Sequence, residues 1–231
     1  MRTIIIGDIH GCASALDALL DKVHPSRKDT LVLLGDLFDR GPDSWGVFKQ
    51  VRTLAEIHGE RFVLLRGNHE DYLLQEKLSL SQRMIWERVG RSATVRSFRA
   101  HGKRMEDAIP WLKEHCVLYW QGSGVQCVHA GLKVDPIEAN DMQTMVHDHS
   151  VTLRNTYAGP ITVTGHIAID YPTWFAGDGI TQRKLPPGEP LELPEQGVIC
   201  IDSGCGKGGR LTAMVLEEDG RFTLSSVGQD G

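Results

Sequence analysis

Three apolar segments near the start of the chain each lead into carboxylate, imidazole or amide side chains. Residues 4–6 precede GDIHG at 7–11, residues 31–34 precede GDLFDRG at 35–41, and residues 62–65 precede RGNHE at 66–70. Short apolar runs of this kind are typical of buried strands in a parallel sheet. Because open α/β sheets bind ligands at the carboxyl ends of their strands, the pattern predicts that the three polar clusters meet at one edge.

Helical patterns separate these strands and follow them. Apolar residues recur at helical spacing over 13–23 and 45–57, which predicts a βαβαβ unit. The segment at about 71–113 is helix-rich and charged, and we expect it to form a helical cap beside the site. Its basic residues can face an anionic substrate, although a solvated helix face is the favoured interpretation of such a run.

The second half of the chain predicts a second, mixed sheet. Short β-like runs separated by glycine or proline turns lie at 117–120, 125–128, 161–164, 198–201, 211–216 and 222–226. The proline-rich segment at about 172–197 is expected to be a long surface excursion with little regular structure beyond a hairpin. We therefore expect one α/β domain with mixed sheets that spans residues 1–231.

The composition excludes several classes of function. The 231 residues are 41% hydrophobic and 24% charged, with a net charge of -5, as in an ordinary globular protein. No basic excess indicates nucleic acid, and no apolar stretch is long enough for a signal peptide or a membrane span. Five cysteines without a CxxC pair favour a reducing compartment. We expect a cytoplasmic protein without nucleic-acid or membrane partners, and a monomer is favoured over an oligomer.

The first three motifs supply candidate metal ligands. Asp8 and His10 are two residues apart after a strand and can therefore bind one ion together. Asp36 adds a carboxylate whose two oxygens can bridge a pair of ions, and Asn68 adds a neutral amide oxygen. Two ions held in this way would bind a phosphate and activate water at neutral pH.

Two later histidines are candidates for the remaining nitrogen ligands. His129 and His166 each end an apolar strand near a glycine. The other histidines outside the motifs lie in helical or polar stretches and are interpreted as structural or solvated, namely His24, His58, His101, His115, His147 and His149.

The same motif loops carry residues for phosphate binding and proton transfer. Arg40 and Arg66 lie at the predicted sheet edge, where a guanidinium can bind phosphate oxygens through two hydrogen bonds. His69 is interpreted as the general acid, because it cannot easily share an ion with the adjacent Asn68 and a leaving group needs a proton. Asp39 is expected to orient His69, the alternative being a cap for the helix that starts near Asp43.

In this order, the motifs resemble those of the PPP family of metallophosphatases. The resemblance continues through VHAG at 128–131, TGH at 164–166 and IDSG at 201–204. Within that family the chain resembles in particular the bacterial and bacteriophage-lambda type of serine/threonine protein phosphatase. The symmetrical diadenosine tetraphosphatases are near relatives of that type.

That resemblance implies a four-layer αββα metallophosphoesterase sandwich and two divalent ions. Manganese is the favoured metal, with iron, zinc, nickel, cobalt and magnesium as alternatives. The implied ligands are Asp8, His10 and Asp36 for one ion and Asp36, Asn68, His129 and His166 for the other. The resemblance also implies direct attack by a hydroxide that bridges the ions. It further implies one more phosphate-binding arginine between the last two histidines, for which Arg154 is the candidate.

Three functions remain to be compared. We expect a hydrolase that removes phosphate from phosphoserine and phosphothreonine in proteins, with a phosphoprotein or phosphopeptide as its partner. The alternative is hydrolysis of a dinucleoside polyphosphate such as diadenosine tetraphosphate, for which Trp86, Tyr171, Trp174 and Phe175 are candidates to stack a base. A non-catalytic dinucleotide-binding module is disfavoured, because the first motif lacks GxGxxG and places a carboxylate where a pyrophosphate would bind.

Overall fold

In the computed structural model, which describes residues 1–231, short strands and helices alternate along the chain. The strands are β1 (Thr3–Ile6), β2 (Thr30–Leu33), β3 (Phe62–Leu65), β4 (Cys116–Val117), β5 (Tyr119–Gly122), β6 (Val125–Val128), β7 (Thr162–Thr164), β8 (Thr173–Phe175), β9 (Gln182–Lys184), β10 (Leu191–Glu192), β11 (Val198–Cys200), β12 (Arg210–Leu216) and β13 (Arg221–Gly228). The helices are α1 (Ala13–Val23), α2 (Ser44–His58), α3 (Asn68–Leu74), α4 (Leu80–Arg88), α5 (Arg91–Ala100), α6 (Ile109–His115), α7 (Met142–His147) and α8 (Ser150–Arg154). None of these helices combines the length and apolar composition needed to cross a bilayer.

The strands form two mixed sheets. In the seven-stranded first sheet the order is β10-β13-β12-β1-β2-β3-β4, and β1 to β4 are parallel. In the six-stranded second sheet the order is β5-β6-β7-β11-β8-β9, and β6, β7 and β11 are parallel. The fold is therefore the mixed α/β arrangement expected from the sequence, with parallel strands on one side of the first sheet and in the interior of the second.

Alternating side chains of β1 face two different apolar cores. Ile4 and Ile6 pack with residues of α1 and α2 in a cluster of 30 buried residues. Ile5 points the other way, into a cluster of 15 buried residues between the two sheets. A third cluster of 10 buried residues on the second sheet includes Met145 and Val146 of α7. The layers therefore run helix, sheet, sheet, helix, as in the expected αββα sandwich.

The apolar run at 117–120 does not form the single strand that its sequence predicts. Cys116 and Val117 pair with β3 in the first sheet, whereas Tyr119 to Gly122 pair with β6 in the second. Leu118 lies between the two short strands, where the chain passes from one sheet to the other. Composition alone does not distinguish one strand from two that belong to different sheets, so this division depends on tertiary structure.

Residues 71–113 are mostly helical, as the sequence predicts. The segment contains the rest of α3, then α4 and α5, and most of α6. The excursion at 172–197 contains the antiparallel pair β8 and β9, in agreement with the expected hairpin. The first of these two segments contacts the candidate site directly, through Trp86 and Thr94.

Candidate metal and phosphate site

The motif loops meet where the central parallel strands of the two sheets end. The backbone N–H groups of Ile9 and His10 both donate to the carbonyl oxygen of Asp36, at 3.2 and 2.8 Å. In the second sheet, the N–H of Gly165 donates to the carbonyl oxygen of His129 at 2.9 Å. Main-chain hydrogen bonds therefore hold the loops together in pairs, and the side chains that they carry converge between the sheets.

Asp36 lies at the centre of this cluster. Its Oδ2 is 3.5 Å from Nε2 of His10, and its Oδ1 is 3.5 Å from Nε2 of His129. The Oδ1 atom also accepts a hydrogen bond from the backbone N–H of His69 at 3.0 Å. Because each carboxylate oxygen faces a different histidine, Asp36 has the geometry needed to bridge two ions.

Asn68 and two histidines form the part of the cluster nearest the second sheet. The Oδ1 atom of Asn68 is 2.9 Å from Nδ1 of His166 and 3.1 Å from Nε2 of His129. Asp36, His129 and His166 offer ligand atoms that all lie within 4.8 Å of one another, and so do Asp36, His10 and His69. The structure thus brings two groups of donors together around one shared carboxylate.

Asp8 connects the two groups of loops. Its Oδ2 accepts a hydrogen bond from the backbone N–H of His166 at 2.9 Å, whereas its Oδ1 is buried without a partner. A Cβ atom at Gly165 would lie only 2.0 Å from that Oδ1, so no larger residue fits there. The Asp8 carboxylate occupies the space in which a side chain at position 165 would lie.

Several buried atoms of the cluster that could bind a metal have no hydrogen-bond partner. These atoms are Oδ1 of Asp8, Oδ2 of Asp202, Nε2 of His69 and Nε2 of His166. Buried polar atoms normally have partners, and a group of unpaired ones needs an explanation such as a bound ion. Carboxylate, amide and imidazole donors are also the ligands that divalent transition metals accept. The residues present therefore fit a pair of divalent cations.

Electrostatics favour a cation here as well. Burial, followed by repulsion from Asp202 and Asp36, raises the pKa of Asp8 well above its usual range. Burial lowers the pKa of His10 well below its usual range, and burial together with His129 lowers the pKa of His166 to about 2. Neutral imidazoles have a free lone pair for a metal, and a cation would relieve the repulsion between the carboxylates.

Backbone carbonyl groups orient two of the candidate ligands. Nδ1 of His10 is 2.8 Å from the carbonyl oxygen of Phe38, and Nδ1 of His129 is 2.7 Å from that of Leu34. A hydrogen bond at Nδ1 fixes the ring and leaves Nε2 free as the ligand atom. Both rings therefore present Nε2 to Asp36.

Backbone strain is concentrated at this site. Positive φ angles occur at His10 (47°), Asp36 (51°), Asp39 (72°), Arg40 (68°) and His166 (71°). Such angles cost about 1 kcal/mol or more for residues with a side chain, and persist only where the surrounding structure enforces them. Here the hydrogen bonds between loops hold the strained residues in place.

His69 and Asp39 form a buried pair beside Asp36. Nδ1 of His69 is 2.6 Å from Oδ2 of Asp39, and its unpaired Nε2 lies 3.8 Å from Oδ2 of Asp36. Burial opposes protonation, but the Asp36 charge and the hydrogen bond to Asp39 raise the pKa of His69 above its usual value. The helix-cap alternative for Asp39 is wrong, because Asp43 caps α2 by accepting from the N–H of Gly46 at 2.8 Å.

Two of the three candidate phosphate-binding arginines lie at the cluster. The guanidinium of Arg40 contacts Nε2 of His10. Arg66 is held by Asp71, whose Oδ1 is 2.6 Å from the Arg66 guanidinium, while Nε of Arg66 remains buried and unpaired. The other Asp71 oxygen is 2.8 Å from Nε2 of His147. Positive charge is therefore held next to the ligands.

The position of Arg154 corrects the assignment that the resemblance implied. Arg154 ends α8, and its Cγ and Nε atoms lie 3.0 Å from where a Cβ at Gly179 would be, beside the hairpin. Arg154 is exposed and packs on the loop of the β8–β9 hairpin, so the structure does not bring it together with the other two arginines. Two histidines that the sequence analysis set aside lie closer: the His149 ring is 4.7 Å from that of His166, and His147 binds Asp71.

Sequence reasoning also missed the role of Glu70. Its carboxylate accepts hydrogen bonds from three backbone N–H groups, those of Asp36 (2.7 Å), Leu37 (2.8 Å) and Gly67 (3.1 Å). Burial and the Asp36 charge raise the pKa of Glu70 to about 7. Its position as the third residue of α3, where a glutamate commonly bonds back to the preceding loop, is a signal that could have identified it.

A large cavity is lined by residues that follow two loops of the cluster in the chain. Its volume is about 1250 Å³, and it is lined by Ala168, which follows the His166 loop, and by Ser203, which follows Asp202. Tyr171 lies in the same wall with 54% of its surface exposed, and Lys207 adds a positive charge. Trp86 and Phe175 are each only 7% exposed, so of the aromatic candidates Tyr171 is the one with a widely accessible ring.

Comparison with known proteins shows the family. The model of the calcineurin-like phosphoesterases matches residues 1–198, and the chain therefore belongs to this family of hydrolases, whose members use a two-metal centre. In fold it is similar to a protein serine/threonine phosphatase from Saccharomyces cerevisiae, with a TM-score of 0.62 at 15% identity over 100% of this chain and 84% of that one. At that identity the likeness concerns the fold alone.

Two curated relatives match nearly the whole chain. A symmetrical bis(5'-nucleosyl)-tetraphosphatase from Photorhabdus laumondii is 27% identical, covering 98% of this chain and 98% of the relative. An asymmetrical bis(5'-nucleosyl)-tetraphosphatase, PrpE, from Oceanobacillus iheyensis is 29% identical, covering 98% and 93%.

These relatives overturn the expectation of a phosphoprotein or phosphopeptide partner. Both are named for dinucleoside tetraphosphates, which are small nucleotides. The motifs could not distinguish the two substrate classes, because they hold metal ions and a phosphate, which both classes of reaction require. Residues outside the motifs select the rest of a substrate, and the sequence patterns of those segments carried little information.

Proposed function

We propose that this protein hydrolyses a phosphoanhydride bond of dinucleoside tetraphosphates such as diadenosine tetraphosphate. The observation that carries the proposal is the match of two tetraphosphatases along nearly the whole chain, including the segments outside the shared motifs. The buried cluster around Asp36 supports the chemistry, since it gathers donors for two ions next to two arginines.

In this proposal the cluster binds two divalent ions, with manganese as the favoured metal. Asp8, His10 and Asp36 would hold one ion, and Asp36, Asn68, His129 and His166 would hold the other. When bound, the ions supply positive charge to the phosphate and make water a stronger nucleophile at neutral pH. Asp36 would contribute to both sites, which agrees with the different histidines that its two oxygens face.

The remaining residues bind the phosphate and protonate the leaving group. Arg40 and Arg66 contact the oxygens of the phosphate under attack, where their fixed charge stabilises the transition state. His69 donates a proton from Nε2 to the departing nucleotide, and Asp39 holds its ring. The hydrogen bond between Nδ1 of His69 and Oδ2 of Asp39, 2.6 Å long, supports this role, since a carboxylate partner favours the protonated ring.

The cavity lined by Ala168 and Ser203 supports a substrate longer than a single phosphate. Its volume of about 1250 Å³ exceeds what one nucleoside needs, and charged groups of both signs line it, namely Lys22, Lys207 and Arg210 with Asp170 and Asp230. Tyr171 is 54% exposed, and because Lys184 lies 4.9 Å from the centroid of its ring on one side, a nucleobase would stack on the other. We propose that one nucleoside of the substrate occupies this cavity and packs against Tyr171.

The test is turnover of diadenosine tetraphosphate with Mn²⁺, followed by separation of the products. Cleavage at the centre yields two molecules of ADP, whereas cleavage nearer one end yields ATP and AMP, and either pattern supports the proposal. Absence of nucleotide products under conditions in which p-nitrophenyl phosphate is hydrolysed would overturn it. Tyr171→Ala is expected to raise KM for the dinucleotide about tenfold and to leave KM for p-nitrophenyl phosphate unchanged.

A further inference from the structure

The Asp39 carboxylate is bound from three sides, and two of its partners come from the helical segment 71–113. Its Oδ2 accepts from Nδ1 of His69 at 2.6 Å and from Nε1 of Trp86 at 2.7 Å. Its Oδ1 accepts from the hydroxyl of Thr94 at 2.6 Å. All four residues are buried, with Trp86 the most exposed at 7%.

Trp86 is itself held rigidly. Its ring is stacked on Tyr72, with centroids 5.9 Å apart and an angle of 26°, and the Arg91 guanidinium lies 5.0 Å from the ring. Arg91 in turn pairs with Glu87. With both neighbours in place and its N–H committed to Asp39, the indole has little surface left for stacking a nucleobase, which removes Trp86 from the set of base-stacking candidates.

Thr94 holds both the side chain and the backbone of Asp39. Its hydroxyl oxygen accepts from the backbone N–H of Asp39 at 2.8 Å and lies 3.0 Å from the hydroxyl of Ser44. Asp39 has a strained φ of 72°, so an outside contact at its N–H helps to maintain that conformation. The start of α5 adds to this support, because the backbone N–H of Arg40 donates to the carbonyl oxygen of Gly90.

We propose that Trp86 and Thr94 are positioning residues for proton transfer, and that they act by fixing Asp39 so that His69 points its free Nε2 toward Asp36. With His69 as its only partner, the carboxylate could rotate, and the imidazole would lose its defined direction. Two further hydrogen bonds, one to each oxygen, prevent that rotation. The segment 71–113 is thus part of the catalytic framework in addition to covering it. This inference rests on His69 being the proton donor of the proposed function.

The experiment is a double-mutant cycle between Trp86→Phe and His69→Asn. Phenyl phosphate with Mn²⁺ is the substrate, because its poor leaving group needs a proton donor. Trp86→Phe keeps a ring against Tyr72 and removes the N–H, and we expect it to lower kcat about tenfold with KM within about twofold. His69→Asn is expected to lower kcat by ~10² to 10⁴. In the His69→Asn background, Trp86→Phe should cost less than about twofold, because its effect passes through His69.

Thr94 offers a second test with a conservative partner. Thr94→Val removes the hydroxyl at nearly constant volume and should lower kcat, whereas Thr94→Ser keeps the hydroxyl and should restore most of it. A matched control is Thr53→Val, which also removes a threonine hydroxyl, in this case one that bonds to the carbonyl oxygen of Lys49 on the exposed surface of α2. Turnover by this control should equal that of the unmodified protein.

Three results would overturn the inference: an unchanged kcat in Trp86→Phe, an equal loss in both backgrounds of the cycle, or loss of bound manganese in Trp86→Phe. The second and third would show that the residue supports the fold or the metal ligands and does not act through His69. Because the cycle uses phenyl phosphate, it tests the inference even if the protein does not cleave diadenosine tetraphosphate. Lack of cleavage of that dinucleotide would refute only the proposed substrate. Failure of His69→Asn to lower kcat would refute both the role of His69 and this inference.

Discussion

The backbone N–H of His166 donates to Oδ2 of Asp8 at 2.9 Å, across a sequence separation of 158 residues. Asp8 follows the first strand of one sheet, and His166 follows a central strand of the other. This hydrogen bond therefore joins the two halves of the candidate metal site, and it does so beside a carboxylate oxygen that is free for an ion.

Gly165→Ala should disrupt this connection. The new Cβ would lie 2.0 Å from Oδ1 of Asp8 and must displace the carboxylate. We expect turnover to fall at least about tenfold and bound manganese to decrease, measured by enzyme assay and elemental analysis. Gly228→Ala, where a Cβ meets no atom within 4 Å, is the matched control and should leave metal content unchanged. Full metal binding by Gly165→Ala would contradict the ligand role of Asp8.

Glu70→Gln should destabilise the loops that carry Asp36 and Asn68. An amide has one acceptor oxygen in place of two, and its NH₂ group would face backbone donors that the carboxylate now accepts from. We expect the free energy of unfolding to fall by about 2 kcal/mol, measured by urea denaturation. Glu76→Gln on the exposed surface is the control and should have almost no effect. Equal stability of the two variants would show that the three hydrogen bonds contribute little.

The two arginines at 66 and 154 should behave differently when each is replaced by alanine. Arg66 is anchored by Asp71 at the cluster, so Arg66→Ala is expected to raise KM and lower kcat/KM by about 10- to 100-fold. Arg154 packs beside Gly179 on an outer loop, and Arg154→Ala should change either constant less than about twofold. Steady-state kinetics of both variants give KM and kcat/KM. A large loss of kcat/KM in Arg154→Ala would show that Arg154 binds the phosphate after all.

Asp29 should make stability depend on pH in the acidic range. Burial opposes its ionisation, but hydrogen bonds from Arg2 and Ser26 outweigh this effect and hold its pKa well below the usual value. Because the pKa in the folded state lies below that in the unfolded state, the stabilisation is present above pH ~4 and is lost as the pH falls.

Replacing Asp29 tests this dependence. Asp29→Asn should lower the free energy of unfolding by about 1 to 3 kcal/mol at pH 7, and the difference from the unmodified protein should shrink steadily below pH ~4. Asp17→Asn, at an exposed position on α1, is the control and should show no such dependence. Denaturation curves at a series of pH values provide the measurement. A constant difference at every pH would mean that Asp29 does not stabilise the fold through its charge.

Much of the first sheet could be predicted because its information is local. The strands β1, β2 and β3 are short apolar runs, and the helices between them have an apolar residue every three or four positions. Asp8, Asp36 and Asn68 follow strand ends that had been located in this way. Since parallel strands place their carboxyl ends at one edge, the meeting of these three side chains followed from the secondary structure alone.

The substrate could not be predicted in this way. The motifs describe how a phosphate is held, and a serine/threonine phosphatase and a dinucleoside tetraphosphatase share that requirement. Tyr171 and the cavity that it lines lie in segments where the sequence pattern indicates only a surface excursion. The relatives, together with the size of the cavity, were needed to favour the nucleotide.

By itself the sequence determined the chemistry of this protein, through ligand types placed at the ends of recognisable strands. Tertiary structure alone decided which side chains support the site: Trp86 and Thr94 bind Asp39, Glu70 binds the neighbouring loops, and Arg154 lies beside the hairpin. The physical reason is that strand and helix periodicity is a property of neighbouring residues. A hydrogen bond between distant residues depends instead on how helices pack and where loops turn, which no local pattern records.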